Sequence, residues 1–98
     1  MPKNKKETAL HYLMRVAEIF QSRIIIKVRN FSADPNDRFC AEIEHLEIVV
    51  PGGFQSLLGN GRTPYEALEK YRECVKGKVL VTHPNQPNEV RTIVESGE

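Results

Sequence analysis

The four residues Thr63-Pro64-Tyr65-Glu66 constrain the fold of this chain more than any others. A threonine hydroxyl accepts from the unpaired N–H groups of a helix's first turn, and proline is tolerated at the first helical position. A glutamate three residues after the cap reaches back to a second free N–H. Ala67, Leu68, Tyr71 and Val75 then recur at helical spacing with Cys74 beside them, Glu66 and Lys70 stand one turn apart, and Gly77 supplies the stop. The pattern predicts a helix over 63–76. The preceding Gly59-Asn60-Gly61-Arg62 raises another reading, because a glycine-rich turn that opens a helix cradles phosphate when the first-turn N–H groups stay free. Thr63 and Glu66 already use those groups, and the spacing of a Walker motif is absent. The turn is expected to be architectural, with an anion site at Gly61–Thr63 as the alternative.

Around this anchor the hydropathy pattern sets the rest. Asn4 and Glu7 have the spacing of a capping box, and Leu10, Leu13, Met14, Ala17 and Phe20 follow on one helical stripe, predicting a helix over about 5–22. Tyr12, Val16 and Ile19 widen that stripe beyond what one sheet covers, so a dimer is expected to use these three residues or an edge strand near Ile48. Ile24, Ile26 and Val28 alternate with Ile25, Lys27 and Arg29 in a strand over about 23–30. A second strand, about 38–50, carries Phe39, Ala41 and Ile43 on one face, then slips phase at His45–Leu46 before Leu46, Ile48 and Val50; a bulge or break explains the slip. A short strand at 54–59 precedes the helix, and a hairpin over 78–95 ends the chain. The expectation is one α+β domain over 1–98, in α-β-β-β-α order, with an antiparallel sheet packed on helices and a C-terminal β-hairpin.

Composition narrows the function classes. A chain of 98 residues has room for one core. Its net charge of +1, from 14 basic and 13 acidic residues, excludes an acidic nucleic-acid mimic and supplies no global attraction to polyanions. No apolar run is long enough to cross a bilayer, and the start lacks the apolar core of a signal peptide. Cys40 and Cys74 form no CxxC and are expected to be reduced thiols of a cytoplasmic protein. With His45, His83 and the more distant His11 they are the available metal ligands, but none has the close spacing of a zinc site, so no metal or cofactor is expected. No nucleophile signature surrounds either cysteine, and Glu42, Glu44 and Glu47 suit a solvated edge, so no enzyme is expected. Arg15, Arg23, Lys27, Arg29 and Arg38 offer a basic patch. Lys27 and Arg29 share a strand face and Arg62 precedes the helix, which makes these three the phosphate contacts if nucleic acid is bound. The chain has no Trp to serve as a stacking platform, so they are expected to be mainly solvated.

Two local patterns carry a family likeness. "FCAEIEHL" leading through glycine to "GRTPYEALEKYRE" resembles the HicB-like antitoxin module, in which a Tyr-x-Ala-x-x-Pro-Asp-Leu strand leads to Gly, a charged residue, then Thr-x-x-Glu-Ala. Phe39, Ala41 and Leu46 stand near the first pattern, and Gly61, Arg62, Thr63, Glu66 and Ala67 match the second, over about 24–77. Glu44, His45 and Leu46 replace the Pro-Asp-Leu, and only about 20 residues follow Gly77, where such antitoxins usually carry a DNA-binding segment. The element order and the G-x-G turn also resemble double-stranded-RNA-binding domains, although Pro64, Tyr65 and Glu66 replace their helix-start lysines. With "GKVLV" after the helix, the build also looks like small phage or prophage proteins. The resemblance implies a non-enzymatic protein-interaction module, an antitoxin-like inhibitor or a phage-encoded modulator of a host factor, with a protein partner, and the broad first helix and edge strands add the expectation of a homodimer. Nucleic-acid or nucleotide binding is the alternative.

Overall fold

In the computed structural model, which describes residues 7–29 and 34–93, the strand pattern of 38–50 divides at its phase slip. β2 (Phe39–Ile43) and β3 (Leu46–Val50) are separated by a corner at Glu44–His45, and His45 has φ 65°. The corner sends the chain from one sheet into another. β1 (Ile24–Val28) pairs antiparallel with β2, placing Ile24, Ile26 and Val28 opposite Ile43, Ala41 and Phe39. β5 (Gly59–Gly61) pairs with the other side of β2 and completes a three-stranded sheet in the order β1-β2-β5. β3 instead lies between β4 (Gly53–Gln55) and β6 (Val79–Thr82), and β7 (Val90–Ile93) closes a four-stranded sheet in the order β4-β3-β6-β7.

The molecule is mixed α+β with antiparallel sheets, and it departs from the expected layout in three places. The single sheet is two sheets. The strand expected at 54–59 is β4 and β5, with residues 56–58 outside both. The C-terminal hairpin is an integral half of the second sheet, because β6 pairs with β3 through Leu46↔Thr82 and Ile48↔Leu80. A one-turn 3-10 helix, Pro35–Asp37, capped by Asp34, precedes β2.

The first helix, α1 (Ala9–Ile19), is capped by the Thr8 hydroxyl, which accepts from the His11 N–H at 3.1 Å. The expected Asn4 cap lies outside the described residues. Glu7 stands before the helix rather than in its third position, so it takes no part in a box. The buried stripe is Ala9, Tyr12, Leu13, Val16, Ala17 and Phe20. Helical geometry centres it one residue away from the expected stripe and leaves Leu10 and Met14 exposed.

The second helix, α2 (Pro64–Val75), matches its sequence signature: the Glu66 N–H donates to Thr63 Oγ1 at 3.1 Å, and Gly77 takes φ 75° past the end. It packs on β2, β5 and α1. Thr63→Ala is expected to lower stability by about 1 kcal/mol, read as a lower denaturant midpoint at unchanged slope.

Tyr71, 1% exposed, sits in this core, and burial pushes its phenol up to about 12, opposed in part by a backbone hydrogen bond at Ile43. A phenol whose ionisation is raised on folding leaves stability intact below its unfolded value near 10 and erodes it as pH rises towards 12. Burial raises Tyr12 in the same sense. Stability is expected to fall by roughly 3 kcal/mol across that window, and Tyr71→Phe flattens most of the fall in pH-dependent denaturant titrations.

Candidate interaction surface at the first strand

β1 is an edge strand, and its backbone pairing determines which groups remain open. The Arg29 N–H donates to the Arg38 carbonyl at 2.7 Å, and the Glu44 N–H donates to the Arg23 carbonyl at 2.9 Å. Antiparallel ladders alternate bonded and non-bonded pairs, so the odd-numbered residues of β1 bond to β2. The N–H and C=O groups of Ile24, Ile26 and Val28 therefore face the open edge.

The side chains of the same three residues lie on the helix-facing side of the sheet. Of their β2 neighbours Ala41 and Ile43 are fully covered, at 0% and 1% exposure, and Phe39 is half-buried, whereas Ile26 is 42% and Val28 is 55% exposed. The helical layer covers β2 and β5 and stops short of the far half of β1. Next to Ile24, an open groove of about 760 Å³ runs along α1, lined by Met14, Ala17, His11 and Arg15 among others. Leu10 and Met14 are the exposed apolar residues on this flank of the helix.

Three of the basic residues around this surface, Arg15, Arg23 and Lys27, sit beside carboxylates. Glu7 accepts twice from Arg15, at 2.7 and 2.8 Å, and this pairing holds its carboxyl below the usual range. Arg23 donates to Glu44 at 2.9 Å, and Lys27 lies 3.6 Å from Glu42. Arg62 stands 3.9 Å from Glu66, at the other edge of the three-stranded sheet, beyond β5. Two strand spacings, roughly 10 Å, separate it from the strand that carries Lys27 and leads to Arg29.

The expected interface residues are mostly spent inside the molecule. Tyr12, Val16 and Ile48 are 1%, 0% and 6% exposed, which leaves Ile19 alone on the surface at 48%. The buried face of α1 packs against α2 and the sheet within the chain. On this side of the molecule the exposed apolar residues are Leu10 and Met14, which helical spacing assigns to the core, and Ile26 and Val28, which strand alternation assigns there.

Gly59-Asn60-Gly61 is a strand rather than a phosphate loop. Two donors at the start of α2 are engaged: Glu66 accepts from the Arg62 N–H at 2.7 Å, one residue earlier than a standard capping box, while Thr63 accepts from the Glu66 N–H. Cys40 is buried and Cys74 half-buried, both as free thiols. His45 and His83, which the sequence placed in separate elements, meet with ring centroids 5.1 Å apart. The unexpected β3–β6 pairing brings them together, since Leu46 opposite Thr82 makes their outer neighbours adjacent. Among the described residues no group of three or more His, Cys, Asp or Glu is arranged as a metal centre, and no helix is long and apolar enough to cross a membrane.

Fold and surface together define a small α+β protein in which edge strand β1 leaves Ile26 and Val28 uncovered and edge strand β7 exposes Val90 and Ile93. Compared with known proteins, the chain matches no family model, no curated protein and no solved structure.

Proposed function

We propose that the chain is a non-enzymatic protein-interaction module, an antitoxin-like inhibitor or phage-encoded modulator of a host factor, that binds its partner by strand addition at β1. One observation carries this reading: open backbone groups and uncovered apolar side chains coincide at Ile26 and Val28. An added strand satisfies the edge through main-chain hydrogen bonds, and its own side chains cover Ile26, Val28 and the Met14 groove. Pairing each of Arg15, Arg23 and Lys27 with a glutamate weakens the attraction to phosphate that a nucleic-acid reading needs.

Ile26→Pro tests the proposal, because proline at an outward-facing N–H leaves the β1–β2 ladder intact and blocks a new strand. The variant is expected to keep its fold by circular dichroism and to lose the protein recovered with the wild-type chain from the native host. Any homodimer formed through this edge disappears from sedimentation profiles in the same variant. The combined change Lys27→Ala, Arg29→Ala and Arg62→Ala is expected to leave recovery within a few-fold. Salt-sensitive recovery of RNA or DNA that this triple change abolishes would replace the proposal with nucleic-acid binding.

A further inference from the structure

We propose that His45 and His83 form a binding site for a divalent transition-metal ion of the zinc type. The two residues leave the ends of paired strands, at the start of β3 and the end of β6. Both hold left-handed backbone, φ 65° and 52°, as does Gln21 at 53°, and all three line one pocket of about 240 Å³. Left-handed conformations are unfavourable for residues with a Cβ, and non-glycine examples tend to gather at functional sites.

The spacing of the rings suits one shared ion. Nitrogens about 2.0–2.1 Å from a tetrahedral ion place two imidazole centroids about 5 Å apart. The observed separation is 5.1 Å, with the rings tilted by 38°. His45 is a side chain at the surface, 59% exposed and open to solvent ions.

The surroundings favour a cation that holds water. Glu44 gives one carboxylate oxygen to Arg23 at 2.9 Å and turns the other towards His45 Nε2 at 3.9 Å, placing negative charge beside the imidazoles. Arg23, the one cation on the pocket wall, is 75% exposed and directed to that carboxylate. Thr82 lines the same pocket at 2% exposure, and among the described residues its hydroxyl has no hydrogen-bond partner. A buried hydroxyl without a partner is uncommon. A metal-bound water supplies that partner. The protein then contributes two imidazole ligands, solvent completes the coordination, and Glu44 acts from outside the first shell as a hydrogen-bond acceptor. This donor set suits borderline ions such as Zn²⁺, Ni²⁺ and Co²⁺ over Mg²⁺ or Ca²⁺.

Calorimetric titration of the untagged full chain with Zn²⁺, and separately with Mg²⁺, tests the site. The expected result is one Zn²⁺ per chain, no response to Mg²⁺, and a rise in thermal midpoint with Zn²⁺. His45→Asn and His83→Asn keep a residue type that tolerates left-handed backbone, and each is expected to weaken Zn²⁺ affinity more than about tenfold. Cys74→Ala is expected to leave affinity unchanged, separating imidazole from thiol ligation. Absence of Zn²⁺ binding, or affinity that survives both asparagine changes, overturns the assignment. So does a thermal shift caused by inorganic phosphate and not by Zn²⁺, which would assign the pocket to anions.

Discussion

Gly59→Ala is expected to prevent folding under conditions where the unmodified chain is fully folded. β5 lies so close to α2 that a Cβ at Gly59 overlaps the Ala67 carbonyl oxygen and the Tyr71 backbone nitrogen. At Gly61 the same atom falls 2.6 Å from the Ala67 nitrogen. These obstacles are main-chain atoms of a capped helix, so no side chain can swing aside. Relief requires lifting α2 from the sheet and unpacking Ala67, Leu68 and Tyr71, all buried against it. The expected loss exceeds about 4 kcal/mol, a large share of the stability of a small domain. Gly53→Ala is the matched control: no atom lies within 4 Å of its Cβ position, and its backbone is not left-handed. It is expected to change stability by less than about 1 kcal/mol. Circular dichroism with denaturant titration of both variants decides the matter. A folded Gly59→Ala protein would place β5 elsewhere.

The same two glycines show where sequence reasoning stopped. Glycine flanking asparagine reads as a turn because flexibility is the common reason for glycine, and a single chain gives no sign of the other reason, close approach of backbone. The start of α2 was legible because Thr63, Pro64 and Glu66 act on their own backbone within a few residues. The corner at His45 was legible as a slip in alternation, since a strand that changes sheets must break its period of two. What stayed hidden was which strand each half would join. The β3–β6 pairing spans more than 30 residues, and no local pattern encodes it.

The candidate surface was legible only in part, for a related reason. Ile24, Ile26 and Val28 alternate as buried residues do, and nothing in their order tells that the helices end above β2. The ion pairs of Lys27 and Arg23 with Glu42 and Glu44 follow from the β1–β2 register, so neutralisation of the basic strand needed that register to be known. The histidine pair needed the β3–β6 register as well. In each case the residue types were visible and their neighbours were not.

Val16→Asp separates the core from the surface most sharply. On sequence grounds, with Val16 expected at an interface, a charge there would weaken partner binding. In the structure Val16 is 0% exposed between the helices and the sheet, and among the described residues no cation shares its buried cluster. A carboxylate there meets no partner, and burying an unpaired charge costs several kcal/mol, enough to unfold a small domain at neutral pH. The pH response identifies the cause. Burial raises the carboxyl's ionisation in the folded state above its unfolded value near 4, so the penalty of the charge grows as pH rises past that value and is relieved below it. Val16→Asp is therefore expected to recover part of its lost stability near pH 3–4 relative to Val16→Asn, whose side chain does not ionise. A Val16→Asp protein as stable as wild type at pH 7, with partner binding lost, would return this residue to the surface.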